Sequence, residues 1–332
     1  MMFLIANARM VGRGSKHREQ AYMLRQPKGS SMQFDVLVVG GGPAGLSAAL
    51  ILGRCQRTVL LCDEGHQRNL SSHAIHGLLG REGRSPASFL DQAREDLSRY
   101  KSVSVRGTGV TTISRAGEGF EFVCADGTAG SASKILLATG LVDELPELAG
   151  IKALYGISVH HCLYCDGFEY AGKPVAAYGK GDRGAELAVM MKYWMADVVA
   201  CSDGTQVSAQ AMRKLAEHNI PLRTEPIRHF EGADGELTKI VFEGGPDLLR
   251  AGLFFSTGCH QASDLSERLG CKRNAKGGVV IEPDTEESSV SGVYVAGDVS
   301  RDVLLVAVAI GEGAQAAVAI NKAFLRRDGF YD

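Results

Sequence analysis

The stretch Phe34-Asp35-Val36-Leu37-Val38-Val39-Gly40-Gly41-Gly42-Pro43-Ala44-Gly45 decides how the chain is read. A short apolar run, a glycine turn and an alanine- and leucine-rich segment through about Leu52 have the pattern strand, turn, helix, and a second apolar run, Thr58 to Cys62, follows. Together they predict a βαβ unit. Gly40, Gly42 and Gly45 satisfy GxGxxG in that setting. Gly40 permits the tight turn, Gly42 lets backbone N–H groups approach a pyrophosphate, Gly45 lets the helix lie against the sheet, and Pro43 and Ala44 open the helix between them. The acid expected about 20 residues later to hold an adenosine ribose is Asp63, with Glu64 beside it. The competing reading is a glycine-rich βα turn that holds no ligand.

Working outward, the same signature recurs. Val175-Ala176-Ala177-Tyr178 leads into Gly179-Lys180-Gly181-Asp182-Arg183-Gly184, an apolar helix through about Trp194 and a strand Val198 to Cys201. Two such units imply an α/β chain with two Rossmann-like modules. Gly140 to Pro146 and Ser256-Thr257-Gly258 each close a short apolar strand with glycine, and the crossings between modules are expected there. The expected division is an arm over 1–31, a dinucleotide-binding part over 32–145, a second module over 146–256 and a return to the first over 257–332. The final stretch is read as a strand, a Gly-Asp turn and a long helix with small residues on its packing face (Ala307, Ala309, Ala314, Ala316, Ala317). Gly297-Asp298 follows that strand directly. An aspartate there is placed for the hydroxyls of a ribityl chain, while the next helix directs its N-terminus at the pyrimidine end of a flavin. Paired with the first glycine turn, this makes the expected cofactor FAD.

Composition narrows the function classes. Across 332 residues, 36 Lys plus Arg nearly balance 38 Asp plus Glu, so no broad basic field is offered to nucleic acid or an anionic membrane. No apolar run reaches the roughly 18 to 20 residues of a membrane span, and the chain reads as cytoplasmic. Residues 1–31 carry scattered Arg and Lys without apolar period and read as a mobile arm.

Of the 8 cysteines only Cys162 and Cys165 stand close together, in His160-His161-Cys162-Leu163-Tyr164-Cys165-Asp166-Gly167. A CxxC spacing lets two sulfurs close a small ring, and a local helix N-terminus or cation can lower one thiol's pKa. Half of a zinc site and a pair of inert buried thiols are the alternatives. No second CxxC exists to complete a metal site, and none is expected. His161 beside Cys162 is a candidate base for an incoming thiol, or a histidine simply hydrogen-bonded on a strand.

Cys-Leu-Tyr-Cys-Asp-Gly before a second glycine turn, Leu136-Leu137-Ala138-Thr139-Gly140 and Gly292-Val293-Tyr294-Val295-Ala296-Gly297-Asp298 together resemble the low-molecular-weight thioredoxin reductase family, from about Phe34 to Phe324. The resemblance implies an FAD domain split in sequence, a cysteine pair in the inserted pyridine-nucleotide-type domain, and a homodimer. It further implies that Cys165 faces the flavin, that Cys162 exchanges with the substrate, and that Asp166 protonates a leaving thiolate. Gly140 joins the cofactor residues on the same ground.

Two departures matter. Asp182 puts a negative charge inside the second glycine turn, and where NADPH-using relatives carry an arginine-rich segment this chain reads Ala200-Cys201-Ser202-Asp203-Gly204-Thr205. An aspartate repels a 2′-phosphate, so NADPH is disfavoured. NADH held by Asp203 with Gly179, Gly181 and Gly184, a module that no longer takes a nicotinamide, and a merely solvated Asp203 remain open. The segment His161 to Glu169, with Gln67-Arg68-Asn69 and Ser71 to Gly77, resembles the gliotoxin- and holomycin-type dithiol oxidases of the same family, which places Asn69 and His76 beside the flavin. The leading expectation is therefore oxidation of a small-molecule dithiol with oxygen as acceptor. An NAD(P)H-dependent reductase of thioredoxin or a small disulfide is the alternative, and a flavin-bound redox sensor is a third.

Overall fold

The computed structural model describes residues 32–300 and 303–330, so the arm expected over 1–31 lies outside the described residues. Met32–Val39 runs through the middle of the larger sheet, with Val59–Cys62 and Ala129–Leu137 parallel to it on either side and Val103–Arg106 beyond. Val36, Leu37 and Val38 are fully buried. A strand covered on both faces has no solvent side to mark with polar residues, which is why its sequence is an unbroken apolar run.

Ala129–Leu137 changes partner along its length. Its first half pairs antiparallel with Gly119–Cys124, which in turn pairs with Val110–Ala116, and its second half pairs parallel with Val293–Val295. The C-terminal part of the chain thus completes the sheet that the N-terminal part began. The smaller parallel sheet runs Leu222–Arg223, Val198–Cys201, Val175–Tyr178, Gly252–Phe255, Val159–His160, and a three-stranded antiparallel sheet lies in the same part of the chain. The fold is α/β with two Rossmann-like units, as the two glycine turns predict. Leu141–Asp143 pairs antiparallel with Cys259–Gln261, which directly follows Ser256-Thr257-Gly258.

Helices Pro43–Arg54 and Val306–Arg327 cross closely enough that a Cβ on Gly313 would stand 2.1 Å from the Ala44 carbonyl oxygen. Ala309, Ala316 and Ala317 are buried there, as expected. Ala307 is exposed and Ala314 only half-buried, because the packed stripe runs through Gly313, Ile320 and Phe324 instead. Burying the Phe324 ring contributes about 1.5–3 kcal/mol. The helix after the second glycine turn ends at Met191, short of Trp194; Met191 and Met195 are core, but Met190 and Tyr193 are exposed. Among the described residues no helix is long and apolar enough to cross a membrane.

Candidate active site

A cavity of about 380 Å³ opens at the carboxyl ends of the larger sheet's parallel strands, where α/β folds place their ligands. It gathers most of the residues singled out from the sequence. Gly40, Gly42, Pro43 and Ala44 form one end, with Asp63 and Glu64 beside them. Asn69, His76, Gly140, Gly297 and Asp298 line it as well, together with Cys165, Asp166 and His161. Gly45 lies behind the wall, where a Cβ would fall 1.9 Å from the Gly40 carbonyl oxygen. Gly179, Gly181, Gly184 and Asp203 are not part of this cavity.

The cavity has the features FAD requires. Helix Pro43–Arg54 starts on it with Pro in the first turn, Gly42 as N-cap and no side chain capping its N–H groups. Those donors and the positive end of the helix suit a pyrophosphate. A Cβ on Gly42 would meet only Gln67 Cγ at 4.0 Å, so the approach is open. Both Asp63 oxygens accept from Gln67 Nε2 at 2.8 Å and Oδ2 also accepts from Arg94 at 3.1 Å, whereas Glu64 makes no hydrogen bond or ion pair among the described residues. Asp298 sits in the turn Asp298–Ser300, and Leu305, Val306 and Ala309 of the following helix also reach the cavity.

Cys162 and Cys165 are joined as a disulfide, not spread for a metal. Cys162 caps the one-turn helix Leu163–Asp166, and its Sγ accepts from the Cys165 N–H at 3.1 Å. An N–H aimed at that sulfur favours its thiolate on reduction. Cys165 is the sulfur that lines the cavity; Cys162 does not.

A buried network that sequence reasoning missed braces this end of the site. Arg68 Nε and Nη2 bind both oxygens of Asp143, at 2.8 and 2.5 Å, while its Nη1 donates to Asp298 Oδ2 at 2.9 Å. Tyr155 donates to Asp143 at 2.7 Å and lies 3.3 Å from His161 Nδ1. Burial raises the Asp143 pKa, but Arg68 and Tyr155 outweigh it and hold the carboxyl below its usual range. Burial pushes His161 the other way from a charged state, lowering its pKa against the opposing pull of Asp143. His161 is thus a neutral imidazole next to Cys162 at pH 7. His76 stands 2.6 Å from Glu82 and 3.6 Å from Glu169; burial lowers its pKa, and these carboxylates with Asp166 overcome that and raise it.

The second glycine turn is built differently. Gly181 N–H donates to Thr205 Oγ1 at 2.8 Å, Asp182 accepts from Ser208 N–H at 2.7 Å, and Arg183 donates to the Thr257 carbonyl at 2.7 Å. Asp203 is half-buried and bonded: Oδ2 accepts from the Tyr178 hydroxyl at 2.9 Å and Oδ1 from the Ile227 N–H at 2.8 Å.

Comparison with known proteins agrees with this architecture. Residues 34–313 match the family model described as pyridine nucleotide-disulphide oxidoreductase. The thioredoxin reductase tcpT of Claviceps purpurea is 30% identical over 275 residues, 80% of this chain and 86% of that one. Among solved structures, a putative thioredoxin reductase from Bacillus anthracis superposes with a TM-score of 0.84 at 32% identity over 88% of this chain and 99% of that one. HlmI superposes with a TM-score of 0.85 at 29% identity over 90% and 94%. The chain belongs to the pyridine nucleotide-disulphide oxidoreductase family and is a thioredoxin reductase-like disulfide oxidoreductase.

Proposed function

We propose that this enzyme oxidises a small-molecule dithiol to its disulfide through Cys162 and Cys165, with FAD as cofactor and molecular oxygen as the final acceptor. The observation that carries the reading is an asymmetry: a disulfide whose Cys165 lines an open dinucleotide cavity, and a second glycine turn outside that cavity whose Gly181 N–H and following acid, Asp203, are engaged by their own chain. The likeness of His161 to Glu169 and of Gln67 to Gly77 to the gliotoxin- and holomycin-type oxidases supports it.

The chain's own residues supply the thiol chemistry. His161, neutral because it is buried, accepts the proton of an arriving thiol, and the resulting thiolate attacks Cys162. The bond to Cys165 breaks and leaves Cys165 as a thiolate at the cavity wall. A second substrate thiolate then displaces Cys162, and Asp166 is placed to protonate the departing sulfur. Arg68 fixes Asp143 and Asp298 together, so the cysteine end and the flavin-binding turn keep one register. FAD, when bound, supplies the two-electron acceptor for the reduced cysteine pair.

The names of the relatives favour a second reading, in which NAD(P)H drives the same relay backwards to reduce thioredoxin. Anaerobic stopped-flow absorbance decides between them. Rapid bleaching of the flavin by a small dithiol such as dithiothreitol, none by NADH or NADPH, and recovery on admitting oxygen are expected. Rapid bleaching by either nicotinamide would sink the proposal. Cys165→Ser separates both from a redox sensor, because turnover collapses in an enzyme.

A further inference from the structure

The neutral imidazole of His161 has two nitrogens, and the exchange just described needs one of them as a base. Their surroundings differ. Nδ1 lies 3.3 Å from the Tyr155 hydroxyl, within hydrogen-bonding geometry, and 3.6 Å from Asp143 Oδ2. Nε2 makes no hydrogen bond or ion pair among the described residues, although the ring lines the cofactor cavity and the side chain is 30% exposed.

Counting hydrogens assigns the tautomer. Burial works against the Asp143 charge, but Arg68, His161 and Tyr155 outweigh it, so the carboxylate is ionised at pH 7 and its oxygens only accept. The Tyr155 phenol has one hydrogen, and it goes to Asp143 Oδ2 at 2.7 Å. Turning that hydrogen to His161 instead would leave the phenol oxygen and a carboxylate oxygen facing each other at 2.7 Å, two acceptors with no donor between them. The phenol oxygen therefore accepts from His161. Nδ1 carries the hydrogen, and the lone pair of the ring is on Nε2. Phe255 steadies both rings, its centroid 6.0 Å from that of Tyr155 and 6.3 Å from that of His161.

We infer that Tyr155 and Asp143 are positioning residues for thiol exchange: Tyr155 holds His161 in the Nδ1–H tautomer so that Nε2 is the base, and Asp143 provides the counter-charge once Nε2 has taken a proton. The inference rests on the reading of Cys162–Cys165 as a centre of thiol exchange. In that step the S–H bond of the arriving thiol breaks and its proton goes to Nε2. The electron pair left on the sulfur forms the bond to Cys162 Sγ, and the pair of the Cys162–Cys165 bond departs on Cys165. One imidazolium and one thiolate form from neutral groups, so charge balances. Burial, Arg68 and His160 oppose the imidazolium while Asp143 and Asp166 favour it; the opposing set prevails, and the ring gives its proton up again after the step.

The test has two readouts. The first is the ring itself, by nitrogen-15 NMR of the full-length histidine-labelled protein at pH 8, with the His161 signals identified as those missing from His161→Gln. A protonated Nδ1 and an unprotonated Nε2 are expected. Hydrogen on Nε2, or an even mixture of the two tautomers, would overturn the inference whatever the rates do.

The second readout is anaerobic reduction of the Cys162–Cys165 disulfide by dithiothreitol, trapped with an alkylating reagent and read as a mass shift, from pH 6 to pH 10. An ordinary thiol with a pKa of about 8.5 is about 3% ionised at pH 7, so a base can speed its attack at most about 30-fold there, and hardly at all once the thiol ionises by itself. Tyr155→Phe keeps the ring against Phe255 and removes the oxygen that accepts from Nδ1. It is expected to slow reduction about 3- to 10-fold at pH 7, the size of one hydrogen bond, and to converge on wild type at pH 10. His161→Gln should lose nearly the whole of the base's contribution at pH 7 and converge in the same way. A Tyr155→Phe deficit of equal size at every pH would mark a displaced disulfide in place of a misdirected base and overturn the inference, as would no deficit at all. Each readout stands if the variant used in the other does not fold. A wild-type disulfide that dithiothreitol does not reduce at any pH would overturn the exchange reading itself, while the tautomer would still be read from the nitrogen signals.

Discussion

The two glycine turns share their spacing and their strand–turn–helix setting, yet their donors face different things. At Gly40 to Gly45 the helix end is uncapped and opens on a cavity that runs to a disulfide. At Gly179 to Gly184 the helix end is likewise without a side-chain cap, but the loop after the next strand folds back, so that Thr205 accepts from the Gly181 N–H and the Ser208 N–H donates to Asp182. Glycine spacing therefore encodes a backbone shape, while the contacts made to that shape come from the loop after the following strand. Thr205, itself bonded to the Ser202 carbonyl, is the residue that makes the contact to the second turn here.

The strongest way to break this comparison is to make the same substitution in both turns. In Gly45→Ala the new Cβ would lie 1.9 Å from the Gly40 carbonyl oxygen, and in Gly184→Ala 2.7 Å from the Gly179 carbonyl oxygen. Each forces its turn to move. Displacing the first turn moves the cofactor's anchor, and dithiol turnover should fall by about 10²-fold or more with loss of flavin absorbance from the purified protein. Displacing the second should cost about 1–3 kcal/mol in urea denaturation, the usual price of overpacking, with flavin content and turnover retained. Equal loss of turnover in both variants would show that the second turn serves the reaction.

Much of this frame was legible because buried parallel strands cannot hide. Val175–Tyr178 and Val198–Cys201 are entirely buried and appear in the sequence as uninterrupted apolar runs, so their bounds are read correctly. The site is less legible wherever it depends on partners distant in sequence. Arg68 lies 75 residues from Asp143 and 230 from Asp298, and nothing local marks the three as one network. The only hint is that all three fall in segments flagged for other reasons. Asp63 was expected to hold a ribose because it ends a strand; that Gln67 and Arg94 also bond it depends on a turn and on the helix Pro86–Leu97, which nothing near Asp63 announces.

Arg68→Met sharpens the comparison from the side of the first turn. Arg68 is 14% exposed and Asp143 5%, so the substitution leaves a buried carboxylate without its counter-charge and Asp298 without its donor. A loss of about 3–5 kcal/mol is expected, measured by denaturation followed through flavin fluorescence. The sign with pH follows from Asp143. Its folded pKa lies below the ordinary 3.8, so its contribution is present above that value and is lost as pH falls through the folded pKa. Without Arg68 only Tyr155 and His161 oppose the effect of burial, the folded pKa rises, and instability on acidification should begin at higher pH. Unchanged acid sensitivity would mean that His161 and Tyr155 hold the Asp143 charge without Arg68.

Asp203→Asn probes the second turn with the smallest expected effect, and its value lies in separating two roles for one carboxylate. As an internal brace, Asp203 accepts from Tyr178 and from the Ile227 N–H, and the asparagine keeps one acceptor while turning an amide donor towards the other partner. The cost should be about 1–3 kcal/mol, the range for leaving a buried group unsatisfied, with the rate of flavin bleaching by dithiothreitol unchanged. As a ribose ligand, the same residue would be nearly silent in stability, and its replacement would raise KM for NADH. Tyr178→Phe extends the argument, because it removes the donor and keeps the acid. If Asp203 is a brace, the two substitutions act on one bond and the double variant should lose less than the sum of the singles. Additive losses together with a KM effect would return the second turn to nicotinamide binding.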